Sequence, residues 1–393
     1  MRRPHAWLLS LVTAGCTAAA PTRPAPAPAP PPPAASPATP APVATVPTPA
    51  SPPDAAYAGH EDLEEPDDDT DDFGEAPEPA PTPRGPHPLD GLSKAQIAHL
   101  YADDPKSIGS VSLGRPSAGA LVNGVPMPRG EGWKLIDPGH AYGTQETVDY
   151  LTAAIRRVRA RYPDAHDVYI GHISAPKGGA LRPHMSHQSG RDVDLSYFYL
   201  DDSARWYRRA DENNLDRERT WAFVRALVID TDPELILIDR SLQLLLKEHA
   251  LGIGEDPEWI RSLFDGIPGK VRPLIFHAKG HATHLHVRFF APVSQETARL
   301  AYDLFQARGF ASGATAFVSH RVRKGETLGM IARKYGTTVT EIRHANGLRS
   351  NRIREKQVYK IPKRGSIGRP APFSVPARRL PPPSGRHAER VPG

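Results

Sequence analysis

Apolar residues recur with a helical period in several parts of the chain between residues 86 and 310. One such apolar face contains Val148, Leu151, Ile155 and Val158. With arginines on the opposite side, this face predicts a helix over residues 144–162. The same period predicts further helices over residues 89–101, 219–228, 241–249 and 294–308. Ser294 and Gly309 are predicted to mark the two ends of the last helix.

Short apolar runs predict the strands of the same region. They lie at residues 168–171, 235–238, 274–276 and 284–290. Helices and strands follow one another irregularly, which favours an α+β fold over a regular α/β repeat. We expect a central antiparallel sheet flanked by helices, in a domain that spans residues 86–310.

A second and smaller unit is predicted over residues 319–363. Its pattern is strand, helix, helix and strand, at residues 320–322, 327–335, 339–345 and 357–361. A segment of this length buries only a small core. We therefore expect a compact βααβ unit attached to the larger domain.

Proline separates these folded regions from the ends of the chain. The chain has 393 residues and 44 prolines, which crowd into residues 21–88 and into the last thirty residues. Residues 17–85 combine an Ala-Pro-Thr-Ser tract with an acidic run, which predicts a disordered spacer. Residues 364–393, rich in proline and arginine, are predicted to be a disordered tail.

The first sixteen residues have the pattern of an export signal: a basic start, an apolar stretch and small residues before Cys16. The apolar stretch is too short to span a membrane. Residues 13–15 resemble a lipoprotein cleavage site, although the usual Leu three residues before the cysteine is absent. Lipidation of Cys16, ordinary cleavage and a cysteine without a role all stay open. We expect an exported protein, in the periplasm or at the outer membrane, with a possible lipid tether at Cys16.

Charge is distributed unevenly along the chain, whose formal net charge is +5. Residues 17–88 contain 12 acidic and 2 basic residues, whereas the remainder contains 47 basic and 32 acidic residues. A basic folded portion suits a polyanionic partner. For an exported protein the anionic cell wall fits better than nucleic acid, so no nucleic-acid partner is expected.

Histidine is concentrated in two clusters about ninety residues apart. The clusters contain His184, His187, Asp192 and Asp194, and His277, His281, His284 and His286. Two histidines and a carboxylate, with a fourth position open, are what a hydrolytic zinc site requires. Clustered histidines can also form a nonspecific metal-binding tract.

Local geometry favours a functional site over such a tract. A strand period of two places His284 and His286 on one face, with apolar residues on the other. Asp192 and Asp194 share a strand face in the same way, and Gly190 allows a tight turn before them. Each cluster therefore directs its polar side chains to one side of a predicted strand.

Over residues 105–290 the chain resembles the penicillin-insensitive murein endopeptidases, which belong to the group of lysostaphin-type and D-Ala-D-Ala metallopeptidases. The motifs that resemble this family are His184-x-x-His187-Gln188-x-Gly190-x-Asp192-Val193-Asp194 and Gly280-His281-x-x-His284-x-His286-Val287-Arg288. Flanking similarities lie at Ser107-Ile108-Gly109-Ser110, Gly139-His140 and Ser174-x-Pro176-x-Gly178-Gly179.

The resemblance implies one zinc ion per catalytic domain, bound by His187, Asp194 and His286. It also implies that His284 and His281 flank the metal as catalytic residues. His284 fits best as the general base or as a donor to the tetrahedral intermediate, and His281 can exchange that role with it.

Four further residues are assigned neither to zinc binding nor to proton transfer by this resemblance. His184 and Asp192 either support the ligands and the substrate or hold the loop by hydrogen bonds. His140 and His277 are expected to be structural. Family members contain several cysteines and this domain has none, so its loops are expected to differ, and the insertion over residues 201–219 is a candidate for altered substrate contacts.

The C-terminal unit resembles a LysM domain. The similar residues are His320-x-Val322-x-x-Gly325-Glu326-Thr327-Leu328, Ile331-Ala332-x-x-Tyr335-Gly336, Ile342, Asn346-Gly347-Leu348, Ile353 and Ile361-Pro362. LysM domains have a βααβ fold and bind N-acetylglucosamine glycans. The resemblance implies a sugar groove that involves Gly325, Glu326, Thr327, Asn346 and Asn351. Residues 319–363 contain 12 basic and 3 acidic residues, which adds attraction to anionic wall polymers.

These observations predict a zinc-dependent murein endopeptidase that cuts peptidoglycan cross-links and is held to the wall glycan by its LysM unit. Its partners would be the stem peptides and the N-acetylglucosamine glycan of peptidoglycan. Two alternatives stay open: a D,D-carboxypeptidase that trims terminal D-Ala, and an inactive lipoprotein that binds peptidoglycan. Retention of the complete ligand set argues against the inactive protein.

Overall fold

A computed structural model gives the architecture of the protein and describes residues 86–201, 206–268 and 271–383. The predicted export signal, Cys16 and the spacer over residues 17–85 lie outside these ranges, so they stay predictions. Among the described residues no helix has both the length and the apolar character that crossing a membrane requires.

Strands and helices are interspersed along the chain. The strands are β1 (Val111–Arg115), β2 (Ala118–Val122), β3 (Val125–Pro126), β4 (Trp133–Leu135), β5 (Tyr142–Gly143), β6 (Val168–Ile170), β7 (Asp192–Leu195), β8 (Pro233–Ile238), β9 (Ile275–His277), β10 (Leu285–Phe289), β11 (Ser312–Arg321) and β12 (Val358–Ser366). The helices are α1 (Lys94–Asp103), α2 (Gln145–Arg161), α3 (Arg217–Asp230), α4 (Arg240–Gly252), α5 (Pro257–Phe264), α6 (Pro292–Leu300), α7 (Tyr302–Ala307), α8 (Leu328–Tyr335) and α9 (Val339–Ala345).

A six-stranded sheet, counted over the described residues, forms the centre of the larger domain in the order β4-β6-β7-β10-β8-β9. The four inner strands pair antiparallel, whereas β4 pairs parallel with β6 and β9 pairs parallel with β8. The expected α+β fold with a central antiparallel sheet is therefore confirmed, with one parallel strand added at each edge.

Alternation along the inner strands gives the sheet one apolar and one polar face. Val193, Leu195 and Val287 are fully buried in the main core, to which α2, α3, α4 and α5 contribute their apolar sides. The residues between them point the other way, since successive strand side chains alternate. One face of the sheet thus stabilises the fold, and the other is left for Asp192, Asp194 and their neighbours.

The hydrophobic pattern predicts most helices well but does not predict α5. Helix α2 agrees closely with the predicted range, and its N-cap Thr144 accepts a hydrogen bond from the backbone N–H of Thr147. Helix α5 has eight residues. A helix this short shows barely two turns of its apolar period, which is too little to recognise in the sequence.

The helix predicted over residues 294–308 is wrong in two respects. It begins at Pro292 rather than after Ser294, and Ala301 divides it into α6 and α7. The side chain of Glu146 in α2 accepts hydrogen bonds from the backbone N–H groups of Val293 and Ser294. A side chain from another helix therefore satisfies the N-terminus of α6, and Ser294 is not its N-cap.

The C-terminal unit has the predicted order β11-α8-α9-β12, with β11 and β12 paired antiparallel. Leu328, Ile331 and Ile342 are buried in its core, together with Tyr359 and Ile361. The two strands are longer than the sequence pattern indicates, because β11 already begins at Ser312 and its pairing with β12 continues to Ser366.

The predicted disorder of residues 364–393 is wrong for the part that the structure describes. Arg378 Nε lies 2.8 Å from Oδ1 of the buried Asp232. Trp259 Nε1 donates to the carbonyl oxygen of Arg379 over 2.7 Å, and the Arg379 side chain donates to the carbonyl of Ser262. The prolines oppose helix and strand formation here, but the larger domain offers partners for the arginines.

The C-terminal unit contacts the larger domain beside the first histidine motif. Lys360 Nζ in β12 donates to the carbonyl oxygen of Pro183 over 2.8 Å. Gln188 Nε2 donates to the carbonyl oxygen of Thr315 in β11, also over 2.8 Å. The ribbon of β11 and β12 therefore lies against both ends of residues 184–187.

Two adjacent glycines allow a matched test of this loop packing. Both have positive φ, but a Cβ atom at Gly178 would lie 2.1 Å from the carbonyl oxygen of Gln188, whereas one at Gly179 would have nothing within 4 Å. We expect Gly178→Ala to lower the free energy of unfolding by about 2–4 kcal/mol, from strain plus overpacking. Gly179→Ala should cost only about 1 kcal/mol, from strain alone. Chemical denaturation measures both, and equal losses would contradict the packing described here.

Candidate metal centre

Antiparallel pairing of β7 with β10 brings the two histidine clusters together. Asp194 lies opposite His286, and Asp192 lies opposite Arg288. Directly opposed residues of an antiparallel pair have Cβ atoms about 4.5–5.5 Å apart, so side chains on the same face are in contact. His187 joins them from the loop that precedes β7.

His187, Asp194 and His286 direct three donor atoms toward one point. His286 Nδ1 lies 3.0 Å from Asp194 Oδ1 and 3.2 Å from His187 Nε2. His187 Nε2 lies 3.3 Å from the same Asp194 oxygen. Donors that share a tetrahedral zinc ion, at about 2.0–2.1 Å each, are about 3.3 Å apart. The three side chains are buried, and both their chemistry and their spacing fit one zinc ion.

Backbone strain and hydrogen bonds fix the orientation of His187. The residue has φ of 64°, and its backbone N–H donates to Asp192 Oδ2 over 2.9 Å. Its Nδ1 lies 2.9 Å from the carbonyl oxygen of Ile173. Since a carbonyl only accepts, Nδ1 carries a proton, and Nε2 is the nitrogen left to bind a metal ion beside Asp194.

Asp192 performs the same function for His286. Its Oδ1 lies 3.3 Å from His286 Nε2 and accepts a hydrogen bond from Arg288 Nε over 2.8 Å. A carboxylate on the far nitrogen of a histidine leaves the near nitrogen, Nδ1, free of its proton and able to bind metal. Asp192 thus makes both kinds of contact that the sequence left open: it holds the loop at His187 and it supports the candidate ligand His286.

The charges of the site keep both carboxylates ionised. Burial raises the pKa of Asp194, but the neighbouring His187, His184 and His284 outweigh burial and hold that pKa well below its usual range. Burial likewise raises the pKa of Asp192, and Arg288 and His286 lower it well below its usual range. Burial and the proximity of His187 lower the pKa of His184, which is therefore neutral near pH 7.

The remaining histidines surround the three donors at longer range. His184 Nε2 lies 3.7 Å from Asp194 Oδ2, and His284 Nε2 lies 3.7 Å from Asp194 Oδ1. The His281 ring is centred 4.8 Å from that of His284 and 6.0 Å from that of His286. His184 also forms a group of possible metal ligands with His187 and Asp194.

Two aromatic residues that sequence reasoning missed lie beside His284. The ring centres of Trp206 and Tyr207 lie 6.1 Å and 5.5 Å from that of His284. Tyr207 has φ of 67°, and a Cβ atom at Gly171 would lie 2.2 Å from the Trp206 indole. Both aromatics belong to the predicted insertion over residues 201–219, the candidate region for altered substrate contacts.

A second group of possible metal ligands lies near the first and contains Asp137, His140 and His172. His172 Nδ1 lies 2.8 Å from His184 Nε2, which connects the two groups. The sequence analysis expected a structural role for His140 and did not single out the other two. His277, by contrast, accepts a hydrogen bond from the backbone N–H of Arg240 over 2.9 Å, in line with the structural role expected for it.

Of the five residues predicted to bind sugar, three have side chains that form hydrogen bonds within the C-terminal unit. Glu326 accepts a hydrogen bond from a backbone N–H and contacts a histidine. Thr327 caps α8, and Asn346 bonds both backbone groups of a residue in β12. Gly325 and Asn351 are exposed. The sugar groove itself stays a prediction.

Sequence comparisons agree with this architecture. Residues 112–244 match the profile of the penicillin-insensitive murein endopeptidase family, and residues 320–362 match that of the LysM domain. The first match contains the His184–Asp194 cluster and ends before the second cluster.

Individual relatives show the same two similarities. A penicillin-insensitive murein endopeptidase from Pectobacterium atrosepticum is 25% identical over 217 residues, which cover 50% of this chain and 69% of the relative. One from Yersinia pestis is 24% identical over 219 residues, which cover 51% of this chain and 71% of the relative. An N-acetylmuramoyl-L-alanine amidase from Staphylococcus haemolyticus is 46% identical over 52 residues, which cover 13% of this chain and 16% of the relative. Residues 112–244 thus resemble the penicillin-insensitive murein endopeptidase family, and residues 320–362 resemble a LysM domain.

Proposed function

We propose that the protein is an exported, zinc-dependent endopeptidase that hydrolyses peptide cross-links of peptidoglycan. The observation that most supports this is the convergence of His187 Nε2, Asp194 Oδ1 and His286 Nδ1 at separations of 3.0–3.3 Å, in a domain of the murein endopeptidase family. A zinc ion held by these atoms would supply a bound water of lowered pKa and polarise the scissile carbonyl.

His284 is the best candidate for proton transfer. Its Nδ1 lies 3.0 Å from the hydroxyl of Thr283, so its Nε2 is the nitrogen directed at the donor cluster. A general base must reach the proton that it accepts, and Nε2 of His284 lies 3.7 Å from Asp194 Oδ1. The His281 ring lies against that of His284, with the two ring centres 4.8 Å apart, so it supports the His284 ring.

Trp206 and Tyr207 form an aromatic wall beside His284. Rings at this position would pack against the stem peptide and keep water from the scissile amide. Their place in an insertion agrees with the expectation that substrate contacts differ from those of cysteine-containing relatives.

The LysM domain would bind the N-acetylglucosamine glycan from which the stem peptides branch. The contacts of Lys360 with Pro183 and of Gln188 with Thr315 support this proposal, because they hold the C-terminal unit beside the larger domain. One domain could then bind the glycan while the other acts on a stem peptide. A lipid on Cys16 would tether the enzyme in the periplasm or at the outer membrane, with residues 17–85 as the spacer.

Removing one ligand tests the enzyme and its metal together. We expect His286→Ala to lose bound zinc and to reduce cross-link cleavage by more than about 100-fold. Removal of the hydrogen-bond partner of a metal ligand alone lowers activity by up to about 100-fold, so removal of the ligand itself should lower it further. His277→Ala is the matched control, because His277 only accepts a backbone hydrogen bond, and it should keep both properties. Zinc analysis and mass spectrometry of products from intact sacculi are the measurements.

The products that the zinc-loaded wild-type chain releases from sacculi identify the bond that it hydrolyses. Loss of cross-linked dimers with a matching gain of monomers is the expected result. Free D-Ala with intact dimers would identify a carboxypeptidase instead, and release of neither product would leave a protein that only binds the wall.

The two candidate bases are separated by their own substitutions. His284→Ala should lower kcat by about 10²–10⁴-fold with zinc still bound, because it removes the group that transfers the proton. His281→Ala should lower kcat less, since it removes only support for the His284 ring. The reverse order in steady-state kinetics on a cross-linked muropeptide would assign the base to His281.

Two asparagines of the LysM domain are expected to respond differently. Asn346→Ala removes hydrogen bonds to both backbone groups of Lys360 and should destabilise the domain by about 1–3 kcal/mol. Asn351→Ala, at an exposed position, should leave stability within about 0.5 kcal/mol and weaken binding to sacculi. Unchanged binding by Asn351→Ala, measured in a pull-down with sacculi, would exclude this residue from the groove.

A further inference from the structure

Two parallel strands at one edge of the central sheet bring a second set of ligand-type side chains together. Asp137 follows β4, and His172 follows β6, its parallel neighbour. The carboxyl ends of parallel neighbours meet at the same edge of a sheet, so these residues are adjacent although 35 positions separate them. His140 joins them from the short 3₁₀ turn Pro138–His140.

The three side chains direct donor atoms at one another. Asp137 Oδ2 lies 2.7 Å from His140 Nδ1 and 3.7 Å from His172 Nε2. The other oxygen of Asp137 accepts a hydrogen bond from the backbone N–H of Gly139 over 2.9 Å. This bond fixes the carboxylate so that Oδ2 faces both imidazoles. One ligand atom from each residue lies within 4.8 Å of the other two.

The burial of these side chains and their access to solvent are also typical of a cation site. Asp137 and His172 are buried, with side chains 9% and 5% exposed, whereas the His140 side chain is 37% exposed. The imidazoles of His172 and His140 beside it lower the pKa of Asp137 well below its usual range, although burial opposes this. The group therefore contains a fixed carboxylate, two imidazoles and an entry path from solvent, which is a donor set suited to zinc.

We propose that Asp137, His140 and His172 bind a second divalent cation, with zinc as the best match. His172 would bind through Nε2, which leaves its Nδ1 in contact with His184 Nε2 at 2.8 Å. The second cation thus holds the His172 ring, and through it His184, beside Asp194. The proposal concerns metal binding alone and does not depend on the reaction that the first centre performs.

Zinc stoichiometry of the full chain tests the proposal. The metal-free chain is titrated with Zn²⁺, dialysed and analysed for zinc and protein. We expect about two equivalents for the wild type and about one for either His140→Ala or His286→Ala. Asp137→Asn, which preserves the shape of the side chain and removes its charge, should also bind about one.

A control pair identifies nonspecific binding by histidine. His99 Nδ1 lies 2.8 Å from Asp103 Oδ2 on the surface of α1, with a His99 side chain that is 77% exposed. His99→Ala should retain the wild-type stoichiometry. Circular dichroism establishes that the His140 and Asp137 variants are folded. A His140→Ala variant that binds as much zinc as the wild type would overturn the proposal, whether the wild type binds one equivalent or two.

Discussion

The register between β7 and β10 is the constraint on which the rest of the structure depends. Asp194 and His286 are 92 positions apart, and only their direct opposition across this strand pair brings them together. A slip of either strand by one residue would turn its donor to the apolar face and bring a buried valine into the candidate metal centre. The alternation that builds the hydrophobic core therefore also determines the chemistry of the opposite face, and neither can change without the other.

Local spacing predicted which polar side chains share a strand face, whereas the ligand set His187, Asp194 and His286 was implied by the family resemblance. Asp192 and Asp194 share a face because they are two residues apart, and the strand pattern around them shows this without any tertiary information. Asp137 and His172 each stand alone in the sequence, and only the parallel pairing of β4 with β6 makes them neighbours. Trp206 and Tyr207 were missed for a similar reason, because the sequence of an insertion does not indicate which residues of the folded domain it contacts.

Element types followed from hydrophobic period, whereas several element ends depended on partners from elsewhere in the fold. Helix α6 begins where Glu146 of α2 satisfies its N-terminal N–H groups, and that residue lies almost 150 positions away. The same dependence explains the C-terminal segment, where Arg378 and Arg379 find partners on the larger domain. Composition describes what a segment can form by itself, and it contains no information on the groups that another segment offers.

The hydrogen bonds from Lys360 to Pro183 and from Gln188 to Thr315 have a consequence for engineered chimeras. The first histidine motif lies between these two bonds, so the β11–β12 ribbon is part of the scaffold that supports it. A chimera in which an unrelated binding module replaced the C-terminal unit would expose this loop and remove both partners. Such a chimera should therefore keep both strands of the ribbon, Ser312–Arg321 and Val358–Ser366, and exchange only residues between them.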